Sequence, residues 1–127
     1  MTVEALPPTM GAEFLRLIDA KDETAIAHLL AEDAQLVDET TRRWVRGREA
    51  IGAALRAQLS RVADIQSTAT DVHVERWGDV EVETFVLHQV YDLDDAPCYE
   101  VSPTTLVWRR TDRAWRLAVI DAIPTIG

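Results

Sequence analysis

The sequence predicts an α+β domain in which helices come first and a meander of antiparallel strands follows, wrapped around an internal pocket. Three observations predict it. Apolar residues recur at helical spacing in the N-terminal half, the hydrophobic period changes to two from Val72 onward, and turn residues punctuate the second half at short intervals. A chain of 127 residues is the size of one domain and buries roughly two thirds of its unfolded surface, so a single domain over 1–127 is expected.

Phe14, Leu17 and Ile18 mark a first helix that breaks at Lys21 and Asp22, and Asp22 is placed to cap a second helix carrying Ile26, Leu29 and Leu30. Ala34-Gln35-Leu36-Val37-Asp38 is too short and too apolar for another helix, so it reads as a strand ending at Asp38, before the polar cluster Glu39 to Arg43. Beyond Gly47, the residues Ile51, Leu55, Leu59 and Val62 fall on one stripe of a third helix. Val72 and Val74 then alternate with His73 and Glu75 up to the turn Gly78-Asp79. Val80, Val82, Thr84, Val86, His88 and Val90 share one face of a long strand, with Glu81 and Glu83 on the other. Asp92 to Pro97 reads as an exposed acidic loop. Tyr99 to Arg110 and Trp115 to Ile123 complete the meander, joined through Thr111 to Ala114, and Pro103 calls for a bulge or an edge position.

Composition excludes several function classes. With 47% hydrophobic and 28% charged residues the chain is globular, and no apolar run approaches the ~20 residues that span a bilayer. A formal charge of −9 repels nucleic-acid phosphates and anionic lipid, so neither nucleic acid nor a membrane is the expected partner. The stretch MTVEALPPTM lacks the basic start and apolar core of a secretory signal, and the single cysteine, Cys98, builds no internal disulfide framework. Both observations suit the cytoplasm. His28, His73 and His88 are scattered and match no ligand spacing, so no metal is expected, and the dispersed glycines form no phosphate loop. Phe85, Leu87 and Tyr91 oppose Val82, Val86 and Val90, so both faces of the late strands are apolar and a homodimer through the outer sheet face is expected.

The element order, together with Ala31-Glu32-Asp33-Ala34, the helix start Arg46-Gly47-Arg48-Glu49-Ala50-Ile51, and Val107-Trp108-Arg109-Arg110 followed by Trp115-Arg116-Leu117, resembles the nuclear transport factor 2-like superfamily. The resemblance runs from about Gly11 to Pro124. It implies a cone in which three N-terminal helices pack on a curved antiparallel sheet and enclose a pocket. The superfamily includes ketosteroid isomerases, SnoaL-type polyketide cyclases, epoxide hydrolases, dehydratases and non-catalytic association domains, so the fold alone leaves function open.

Asp38 stands where the isomerases of that superfamily place their catalytic base, whereas Phe14 and Thr105 stand where they place the tyrosine and the protonated aspartate that bind the enolate oxygen. Neither side chain can replace those donors. Asp38 reads either as a base at the rim of an apolar pocket or as a turn aspartate capping local amides. His88 shares parity with Val82, Thr84 and Val86, so it is either an imidazole inside the cone or a satisfied buried histidine. Asp121, on the last strand, is the third catalytic candidate, of ambiguous direction. Phe14, Trp44, Val86, Tyr99 and Thr105 are expected to line the pocket.

Two functions follow. One is a cofactor-independent enzyme doing acid–base chemistry (isomerisation, cyclisation or dehydration) on a small hydrophobic carbonyl compound, with epoxide hydrolysis through Asp38 and Asp121 as a variant. The other is a non-catalytic ligand-binding or dimerisation domain.

Overall fold

The computed structural model describes residues 9–124. The N-terminal stretch read for a secretory signal lies outside them, apart from Thr9 and Met10. Helix α1 (Met10–Ala20) begins where the Thr9 hydroxyl accepts the Ala12 amide at 3.0 Å, and it ends at Lys21 in the left-handed conformation. Asp22 caps α2 (Glu23–Leu29) as predicted, accepting the Ala25 amide at 3.1 Å. Strand β1 (Leu30–Asp38) ends at the predicted residue but begins at Leu30 rather than Ala34. A short strand hidden in the polar cluster follows, β2 (Arg43–Arg46), and then α3 (Arg48–Leu59). Ile51 and Leu59 of the predicted stripe are buried, but Val62 opens β3 (Val62–Trp77), because Ser60 and Arg61 end the helix.

Three hairpin strands complete the chain: β4 (Val80–Leu93), β5 (Ala96–Thr111) and β6 (Ala114–Ala122). The acidic segment expected to be an exposed loop is instead a tight β4–β5 hairpin. Asp94 and Asp95 take φ values of 49° and 66°, the positive values that a two-residue hairpin turn demands, and Asp112 and Arg113 do the same between β5 and β6. Aspartate tolerates this backbone because its short side chain satisfies local amides.

The strand order is β2-β1-β6-β5-β4-β3. Every pairing is antiparallel except β1 with β6, a departure from the wholly antiparallel sheet expected. Pro103 meets its expected edge position: the β5–β6 ladder ends at Thr104–Ala122, and beyond it only the Ile123 amide reaches the Pro103 carbonyl. Register shifts in β3 at 63–66 and 70–73 bend the longest strands.

The helices cover one face of the sheet. Phe14, Leu17, Ile18, Ile26 and Ile51 meet Phe85, Leu87, Leu106, Trp108, Leu117 and Ile120 there, and each aliphatic side chain fully withdrawn from water contributes about 1.5–3 kcal/mol. This settles the parity of β4 against the expectation. Phe85 and Leu87 face the helices; Val82, Thr84, Val86, His88 and Val90 face away. The acids that suggested an outward face are paired and buried. Glu83, 1% exposed, accepts the Gly11 amide at 2.9 Å, and Glu81 is held by the Arg76 guanidinium at 2.8 Å. A Cβ at position 11 would stand 2.5 Å from the Glu83 carboxylate, so any larger residue makes that carboxylate shift away from the amide it holds. Among the described residues no helix is long and apolar enough to cross a membrane.

Candidate active site

Strand alternation from buried Leu36 puts Asp38 on the helix-covered side, at the end of β1. Its Oδ1 accepts the Thr40 amide at 2.9 Å and, more weakly, the Thr41 amide at 3.4 Å. This is the local capping that the sequence offered as the second reading of Asp38. It also shapes the turn that presents the next residue, Glu39.

Glu39 is the most perturbed carboxyl described. Water reaches its side chain, yet partial desolvation, followed by the charges of Glu100, Asp121 and Asp38, raises its pKa from 4.5 to about 7. Tyr91 completes the group from β4. Its register partner on β5 is Cys98, and the adjacent inward-facing pair is Gln89 with Glu100. Burial, then a hydrogen bond with Glu100 and the charges of Glu100, Cys98 and Glu39, holds the Tyr91 phenol protonated well above the ordinary tyrosine range. A carboxyl near neutrality can take or give a proton at working pH, and a phenol kept neutral can donate a hydrogen bond to an oxygen gaining negative charge.

The structure disperses the other expected site residues. Phe14 is core, 6% exposed on α1. His88 lies on the sheet face away from the helices, where Nδ1 meets the Tyr99 hydroxyl at 2.8 Å and Nε2 meets Thr70 Oγ1 at 3.0 Å. It therefore shares no cavity with Asp38. Tyr99 is 62% exposed beside it, and Trp44, paired with Val37 on β1, is 46% exposed. Val86, Thr105 and Asp121 line a groove of about 260 Å³ on that same outer face. Asp121 is the register partner of Thr105, which settles its direction, although its charge still reaches Glu39.

The corrections to the residues of β4 and β5 share one cause. Both faces of β4 and β5 are apolar, so alternation showed which residues share a face but not which face the helices cover. Side-chain size held the missed signal: bulky Phe85, Leu87 and Tyr91 fill space against helices, while the valines opposite suit an open pleated surface. Choosing that face would have brought Tyr91 and Glu100 inward, and Glu39 beside Asp38 is an acid pair at a strand end. A second groove of about 550 Å³ runs between Asp33, Arg48, Arg109 and Arg116 at the far end of the sheet. Among the described residues no three His, Cys, Asp or Glu side chains are grouped to hold a metal ion.

The SnoaL-like domain family model matches residues 9–122. Among solved structures, the fold is similar to that of a protein of the nuclear transport factor 2-like family from Streptomyces avermitilis, provisionally called a dehydratase (TM-score 0.83, 20% identity, 92% of this chain and 91% of that one). It is also similar to a type 2 hexachlorocyclohexane dehydrochlorinase, LinA (TM-score 0.81, 15% identity, 91% and 80%). A third is the S. rosetta CaMKII hub (TM-score 0.78, 17% identity, 94% and 100%). No curated protein matches the chain in sequence.

Proposed function

The chain belongs to the SnoaL-like domain family, and from that premise we propose that it is a cofactor-independent enzyme moving a proton on a small, apolar carbonyl compound, with Glu39 as the proton carrier. The observation that carries the reading is Glu39 itself, a carboxyl raised to about 7 beside Asp38 and Glu100, with a protonated Tyr91 in the same group. Glu39 removes a proton next to the carbonyl and returns it elsewhere on the substrate. Tyr91 turns its single O–H from Glu100 to the oxygen that becomes the enolate, the part for which Phe14 has no donor and Thr105 no carboxylic acid. Asp38 holds the turn and keeps Glu39 basic by its charge. Isomerisation, cyclisation and dehydration all contain this step, and the dehydratase and dehydrochlorinase named above are likewise described as eliminating enzymes. Epoxide opening would draw its acid from Glu39 rather than from outward-facing Asp121.

The test is exchange of α-protons of small ketones in D2O, followed by nuclear magnetic resonance. The rate is expected to rise with pH and level off above about 7, as Glu39 loses its proton. Absence of exchange over a panel of cyclic and aromatic ketones, or a rate indifferent to pH between 5 and 9, refutes the reading.

The association reading is favoured by a separate observation. On the outer face Val90 is 50% exposed and its register partner Tyr99 62% exposed, an apolar patch where the helices give no cover. A homodimer through this end of the sheet is the partner proposed, in the cytoplasm that the lone Cys98 suits. Light scattering is expected to give twice the chain mass of 14.2 kDa, and Val90→Lys is expected to return the protein to monomer. A monomeric wild type defeats it.

A further inference from the structure

The outer groove is built on a row of polar residues that the register lays straight across four strands. His73 pairs with Thr84, Thr84 with Thr105, and Thr105 with Asp121, from β3 through β4 and β5 to β6. The rungs on either side are mostly apolar: Val82, Val107 and Val119 on one, Val86 and Pro103 on the other. A strip of hydroxyls ending in a carboxylate thus lies between hydrophobic walls, the arrangement of a small-molecule site, in which apolar lining supplies affinity and a few polar groups supply orientation. At the β3 end, the register shift between Thr70 and His73 turns the strand, and Asp71 stands with its carboxylate 3.3 Å from His73 Nε2. The groove therefore has an acid at each end, and no lysine or arginine lines it. Its volume of about 260 Å³ falls just below the roughly 300–1,000 Å³ of drug-sized sites, so the occupant is small.

We propose that this groove binds a small organic cation, an amine or amidinium on an apolar or aromatic body, with the body over Val86 and Pro103, the charge toward Asp121 and the hydroxyls of Thr84 and Thr105 accepting its N–H groups. Glu39 does not line the groove, and the link between the two is Asp121, whose charge also bears on Glu39. The groove is separate from the Val90–Tyr99 patch, which lies two rungs beyond Val86 and Pro103.

Benzylamine is the probe, titrated into the full chain while methyl resonances of Thr84, Thr105 and Val86 are followed. Saturable shifts are expected with a Kd of about 1 mM, as suits a ligand of its size. Benzoate, of the same shape and opposite charge, is expected to shift none of them. Asp121→Asn should weaken binding about tenfold. Thr105→Val, nearly isosteric and tolerated in a strand, should weaken it severalfold and guards against loss of fold in the first variant. Failure of benzylamine to saturate below about 50 mM, equal binding of benzoate, or an unchanged Kd in both variants overturns the proposal.

Discussion

Glu39→Gln is expected to lower proton-exchange turnover by about 10²–10⁴-fold, the usual worth of a positioned acid–base group, while making the fold more stable at pH 8. The second effect follows from the sign of the pKa shift. The folded chain holds the Glu39 proton up to about 7 and the unfolded chain releases it near 4.5, so between those values the folded state binds more protons. Stability in the wild type therefore falls as pH rises through that window, and above it the charged carboxylate is held in unfavourable company. Glutamine carries no charge and escapes the penalty, which solvent screening of an exposed group reduces to about 1 kcal/mol. Urea unfolding at pH 5 and pH 8, with turnover measured alongside, separates the outcomes. A variant that keeps full turnover removes Glu39 from the chemistry, and one no more stable than wild type at pH 8 means that the crowding of carboxylates is relaxed in solution.

Trp108→Ala is expected to be the most damaging single change to the fold, at about 3–5 kcal/mol and on the order of 10–20 °C in Tm. Trp108 is 1% exposed on the inner face of β5, where it pairs with Leu117 and Glu81 across two strands and joins the core with Leu106. Truncation leaves a cavity at the centre of the sheet that neighbours on three strands cannot fill. Its indole Nε1 is buried without a hydrogen-bond partner. Trp108→Phe keeps much of the volume and removes that stranded N–H, so its cost should be far smaller, below about 2 kcal/mol. Equal losses in the two variants, measured by urea unfolding, would mean that the indole nitrogen has a partner in solution.

The helices and most strands were legible because their signals are local: Asp22 capping a helix, the stripe through Ile51 and Leu59, and the alternation of β4 each depend on near neighbours. What was not legible depends on distant partners. Nothing near Glu83 reveals that its carboxylate receives the amide of Gly11, and without that knowledge a glutamate in a strand reads as a solvent-facing residue. The same limitation inverted the sheet, and with it the expected places of His88, Val86, Tyr99 and Thr105. Asp38 was found at the right strand end from its position. Its neighbour Glu39 was not, because a raised pKa is set by charges that arrive from β5 and β6. Strand β2 escaped because four residues of mixed polarity pair only with β1 and bury little.

The contact between Glu83 and Gly11 also orders events in time. The two residues stand 72 positions apart, and at a synthesis rate of roughly 5–20 residues per second the acceptor is made about 4–14 s after the donor. For that interval α1 has no docking point on β4 and its Phe14, Leu17 and Ile18 stripe has no sheet to cover. Helix α1 is thus made before the contact that locks it in place can form, and for those seconds its apolar stripe is open to chaperones and to other copies of the chain.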